Sequence, residues 1–172
     1  MHFYLELRLE PGLLVIMAAL LTRYSNNKQH MTYGKNMNLF ENACLLLGRT
    51  LLGLYFILPG IQKITSFDMM SQYMAQHNVP MISLLLIFTI ALQLTGGIAI
   101  IIGFKGRFAA FILAGLTLVI SIYMHNFWNL PEGSDVAHET QNFVKNMAIM
   151  AGLLVLAARG TGKFSVDNRV KR

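Results

Sequence analysis

Eight polar or ionisable residues crowd the edges of otherwise apolar runs: Lys63, His125, Asn126, Trp128, Glu139, Asn142, Lys145 and Asn146. Lysine is a cationic donor, asparagine both donates and accepts, and histidine changes charge near neutral pH. Such a set can hold a small ligand rich in oxygen acceptors, with Glu139 as counter-charge to the two lysines. The competing explanation is structural. A lone His or Trp at a membrane interface is an ordinary anchor, and polar side chains also bond helices together. Eight such groups at one depth exceed what anchoring requires, and a small polar pocket is the expectation.

The elements that must position them follow from composition. The chain has 172 residues, 55% hydrophobic and 13% charged, with a formal charge of +6 and a mean hydropathy of +0.51. Soluble domains carry about a quarter charged residues, so the composition points to a membrane protein embedded in a lipid bilayer. No basic stretch is interleaved with aromatics, and no zinc-finger or RNP-like pattern occurs, which excludes nucleic acid. Cys44 stands alone, so neither an intramolecular disulfide nor a CxxC pair is available. Redox chemistry would need a bound cofactor or a partner.

Residues 44–61, 81–102 and 108–124 approach the roughly 20 residues that cross a bilayer as a helix. The run at 147–158 is too short alone and spans only from a start near Thr140, which carries Asn142, Lys145 and Asn146 inward. The expected fold is an all-α integral membrane four-helix bundle. It comprises an N-terminal extension and linker (1–38), a four-helix domain (39–160) and a basic, flexible tail (161–172). The extension is either an interfacial helix, a partial fifth helix, or sequence upstream of a true start at Met31 or Met37. Basic residues flank the chain ends and the tight second loop, where Lys105 and Arg107 sit. The first loop has only Lys63 and the third none. The positive-inside rule therefore places both termini in the cytoplasm.

Helical periodicity gives each span one polar or small-residue stripe. On the first lie Arg49, Gly53, Phe56, Gly60 and Lys63. The second carries Thr89, Gln93, Gly96 and Gly97; the third carries Ala114, Thr117, Ser121, His125 and Trp128. The fourth carries Glu139, Asn142, Asn146 and Ile149, with Lys145 beside them. The glycines read as packing residues. Arg49, Gln93, Thr117 and Ser121 are the intramembrane polar positions. Arg49 sits near its helix end, where snorkelling and a functional role are both open.

Several stretches, taken in order, resemble the DoxX family of small four-helix membrane proteins. "GRTLLGLYFILPGIQKI" is similar to that family's first helix, with an Arg entry and a terminal Gly-x-x-Lys. "QLTGGIAIIIGFKGRFAA" is similar to its second helix and tight loop, with Gln93 where many relatives have Glu. "HNFW", "ETQNFVKNMAIMAGLLVLA" and "RGTGKFSVD" complete the resemblance, which runs from about Arg49 to Asp167. Some relatives are named as small subunits of quinone-linked oxidase or thiosulfate-oxidising complexes, and others are linked to oxidative-stress and sulfur-transfer partners. The resemblance thus implies a redox-associated subunit working with an oxidoreductase or sulfur-transfer partner, rather than an independent enzyme.

Other motifs fail on spacing. "GTGK" at 160–163 lacks the P-loop's first glycine, since Ala157 stands there. His125, Asp135, His138 and Glu139 show no paired ligand spacing, so no metal is expected, and one well-placed histidine does not suit haem. Three classes remain. A quinone site would use His125, Lys63 and Asn142 as donors and Trp128, Tyr123 and Tyr55 as walls. An anion carrier or exporter, conceivably a homodimer, needs a polar path from Arg49 to the lysines. An accessory scaffold subunit needs only the packing. Polarity is thin at mid-depth, where Thr89, Gln93 and Thr117 stand alone, which leans away from transport. The topology is testable: a C-terminal alkaline phosphatase fusion should be inactive and a C-terminal fluorescent-protein fusion bright, whereas the reverse pattern overturns the orientation.

Overall fold

The computed structural model describes residues 38–130 and 135–170. The N-terminal extension, with the interfacial-helix and late-start expectations attached to it, lies outside the described residues. Those residues form α1 (Leu39–Thr65), α2 (Phe67–Gln76), α3 (Ile82–Ile102), α4 (Gly106–Met124), a 3-10 turn (Phe127–Asn129), α5 (Val136–Arg159) and α6 (Val166–Val170). No strand occurs among them. Among the described residues, four helices are long and apolar enough to cross a membrane: α1, α3, α4 with its 3-10 extension, and α5.

Local chemistry fixes where these helices begin. Asn38 Oδ1 accepts the Glu41 N–H at 2.8 Å while the Glu41 carboxylate accepts the Asn38 N–H at 3.0 Å, a capping box that starts α1. Asp135 accepts the His138 N–H at 2.9 Å, so α5 starts at Val136, four residues before the start expected near Thr140. The stretch between the first two spans is not a plain loop. Phe67, Met70 and Met74 fall at i, i+3 and i+7, and α2 buries Met74.

α1 packs along α3, α4 along α5, and α3 meets α4, whereas α1 and α5 barely touch. The bundle therefore has an open seam between α1 and α5. At the α1–α3 crossing the backbones themselves meet. A Cβ on Gly53 would stand 2.6 Å from the Gly97 carbonyl oxygen, and one on Gly97 would stand 2.8 Å from that of Gly53. In lipid, where apolar side chains gain nothing by leaving the solvent, such close approach is what holds helices together. Phe56, Ile100, Leu113 and Leu153 fill the middle of the bundle with 0–2% exposure. Leu51, Leu58, Phe111 and Val155 are about 60% exposed on the outside, as lipid contact requires.

The expectation of a flexible tail from residue 161 fails through Val170. Thr161 and Ser165 are buried. The Lys163 N–H donates to Asn42 Oδ1 at 2.8 Å, and the Asp167 N–H donates to the Gly103 carbonyl at 2.9 Å. The two Asp167 carboxylate oxygens accept the N–H groups of Lys105 at 2.7 Å and Gly106 at 3.0 Å. This places a negative charge on the otherwise unpaired N–H groups that open α4. Arg107 donates to the Ala157 and Ala158 carbonyls at 2.8 and 3.0 Å, closing the end of α5. Arg49, only 2% exposed, does not snorkel: its guanidinium donates to the Phe164 carbonyl. Its Nε and Nη1 have no hydrogen-bond partner, and the Asp167 carboxylate lies near enough to act on its charge, though less than burial does.

Two stability predictions follow from these contacts. Gly53→Ala should destabilise the protein by about 1–3 kcal/mol through overpacking. Gly48→Ala, on the same helix with nothing within 4 Å of its Cβ position, should be neutral or stabilising; thermal unfolding in detergent compares the two. Asp167→Ala should cost about 0.5–2 kcal/mol, the usual loss for a helix cap, and should expose the tail to limited proteolysis.

Candidate functional site

The tail, the α3–α4 turn and the start of α1 occupy one end of the bundle. At the opposite end, where the longer connections lie, the four spanning helices surround a cavity of about 160 Å³. α1 contributes Tyr55, Phe56, Pro59 and Lys63; α3 contributes Gln93; α4 contributes Thr117, Ile120 and, at its C-cap, His125; α5 contributes Lys145 and Asn146. Phe56, Gln93, Thr117 and Asn146 are buried and make the floor, while Tyr55 and Lys145 are exposed at the rim. The Tyr55 hydroxyl donates to Asn146 Oδ1 at 3.2 Å, bridging the α1–α5 seam. The cavity thus opens along the side of the bundle where those helices stand apart.

The polar groups divide by what already satisfies them. Thr117 and Ser121 donate to the carbonyls of Leu113 and Thr117, both at 2.7 Å, so each hydroxyl is occupied by its own helix. Ser121 is fully buried and does not reach the cavity. Gln93 Oε1 is buried without a partner. Lys145 Nζ donates to Asn142 Oδ1 at 2.8 Å. Among the described residues, no carboxylate lies within ion-pair distance of Lys63 or Lys145.

Here the expected charge pairing is corrected. Glu139 is not the counter-charge of the lysines: its carboxylate pairs with His125 Nδ1 at 2.7 Å, both side chains about one-fifth exposed. The two groups come from helices packed side by side, and pairing them there removes Glu139 from the cavity. The Glu139 charge also reaches Tyr73 of α2. Burial, together with the Glu139 charge, pushes the Tyr73 phenol above its ordinary pKa.

Of the eight site residues proposed from sequence, Lys63, His125, Lys145 and Asn146 line the cavity, and Asn142 and Glu139 support two of them. Asn126 and Trp128 do not line it. Trp128 is 51% exposed and stacks edge-on with Phe127 and Phe143, an interface cluster rather than a wall. Tyr123 is likewise exposed and lines a separate apolar groove between α3 and α4. The walls that sequence reasoning undervalued are Phe56 and Pro59. Tyr55, Pro59 and Lys63 recur every four residues, and that spacing is the signal that places them on one face. Arg49 belongs to the other end and shares nothing with the cavity.

A family model described as DoxX matches residues 44–126. Inner membrane protein YqjF of Escherichia coli (strain K12) is 35% identical over 136 residues, covering 79% of this chain and 98% of that protein. Inner membrane protein YphA of the same organism is 34% identical over 125 residues, covering 73% and 89%. ER-derived vesicles protein ERV29 of Saccharomyces cerevisiae is 33% identical over 86 residues, 49% of this chain and 27% of that protein. No solved structure matches the chain.

Proposed function

The chain belongs to the DoxX family of integral membrane proteins, and from that premise we propose that it binds the ring of a quinone as the membrane subunit of a redox assembly. Its setting in this proposal is a bacterial inner membrane, as for the E. coli relatives, with both chain ends cytoplasmic. The observation that carries the reading is the convergence of Lys63, Lys145 and the unpartnered Gln93 on one laterally open cavity.

The Lys63 ammonium, half-buried in a low-dielectric site without a paired carboxylate, is costly, and ligand oxygens would offset that cost. Lys63 and Lys145 approach from opposite sides of the seam, as two carbonyl oxygens across one ring require. Tyr55 and Phe56 supply the aromatic wall. At about 30 Å³ per water, the cavity holds the volume of about five waters, room for a ring but not its chain. The α1–α5 seam gives that chain an exit into lipid. A bound quinone would accept two electrons and two protons, the electrons coming from an oxidoreductase or sulfur-transfer partner. A carrier fits less well, because Phe56, Ile100, Leu113 and Leu153 separate the lysine cluster from Arg49.

Purification in native nanodiscs followed by mass spectrometry tests this. A near-stoichiometric quinone should accompany the wild type and be lost in Lys63→Met and Lys145→Met, with folding and insertion intact. A protein partner without quinone would instead make the chain an accessory subunit.

A further inference from the structure

Resting on the quinone reading, we propose that His125, held by Glu139, is the proton-carrying group of the cavity: an anionic ring oxygen binds there together with one proton taken from water onto His125 Nε2.

The argument is geometric. Glu139 accepts from Nδ1 at 2.7 Å, so in the neutral imidazole the proton resides on Nδ1 and Nε2 carries a lone pair. His125 lines the cavity, and with Nδ1 engaged, Nε2 is the ring nitrogen left to serve it. A ligand oxygen also presents lone pairs, so the two repel until a proton sits between them. Protonation turns Nε2 into a donor, and the Glu139 carboxylate balances the imidazolium. The other ionisable groups on the cavity side of the pair are the ammonium groups of Lys63 from α1 and Lys145 from α5. Each opposes a charged His125 in the empty site, and an incoming anion relieves that opposition. Tyr73 of α2 lies near enough to feel the Glu139 charge. Such an arrangement couples ligand charge to one proton through residues that make no direct ion pair with either lysine.

The sign is determined. If binding takes up a proton, affinity for an anion falls as pH rises through the range in which imidazole titrates, by at most about tenfold per pH unit.

The probe is the anion of 2-hydroxy-1,4-naphthoquinone, titrated calorimetrically into the full chain in nanodiscs in buffers of different ionisation enthalpy. The wild type should take up close to one proton per ligand at slightly alkaline pH. His125→Leu should bind more weakly with uptake abolished. Glu139→Gln, which keeps a hydrogen-bonding group of the same shape, should move the pH dependence to lower pH while leaving thermal stability close to wild type. Wild-type binding without proton uptake overturns the proton role and leaves the quinone site standing. Uptake persisting unchanged in His125→Leu does the same by assigning the proton to a lysine. Absence of binding by the wild type overturns both.

Discussion

A polar group carried into the middle of a membrane-spanning bundle has no water to bond, so it must find a partner within the protein. The arrangement of this chain follows from that constraint. At the tail end many such groups are answered: Asn42 by the Lys163 amide, one nitrogen of Arg49 by the Phe164 carbonyl, and the start of α4 by Asp167. Thr117 and Ser121 turn back onto their own helix. Among the described residues, the buried groups left without a hydrogen bond include Arg49 Nε and Nη1 at the tail end and Gln93 Oε1 at the other, where two lysines without a paired carboxylate line the same cavity.

The dry layer between the two ends has its own cause. Gly53 and Gly97 let α1 and α3 approach until backbone meets backbone, and Phe56, Ile100, Leu113 and Leu153 close the space that remains. A polar residue at that depth would lack both water and a neighbour with a free hydrogen-bonding group. The same tight crossing draws α1 toward α3 and leaves α1 and α5 apart. The opening of the cavity toward lipid and the absence of a polar route through the middle are thus linked consequences of one packing choice.

The tail end has a mechanical role in this scheme. The α3–α4 turn is gripped from three directions, by Arg49 from α1, by Thr161 against Gly106, and by Asp167 on its amides. That grip fixes how α3 and α4 are joined, and α3 and α4 carry Gln93, Thr117 and His125 at the far end. The basic residues of the tail conceal its structural content, because the groups that dock are Thr161, Ser165, Asp167 and backbone carbonyls rather than its lysines.

Sequence alone determined the class of protein, the four apolar spans and the face each turns inward, because length, hydropathy and helical period are local properties of the chain. The stripe Arg49–Gly53–Phe56–Gly60 is buried as its spacing requires, and Lys63 and Lys145 were recognisable as candidate cationic donors near the ends of their spans. Only the tertiary structure decided which of these groups meet. The sequence suggested Glu139 as counter-charge to the two lysines, and the packing of α4 against α5 gave it to His125. Trp128 shared the helical period of the site yet turned to Phe127 and Phe143 once the helix ended and a 3-10 turn redirected the chain. Arg49 found its partner 115 residues away. Periodicity specifies a direction around one helix, whereas a contact depends on how far and at what angle a second helix stands, and that was set by glycines, caps and the folded tail.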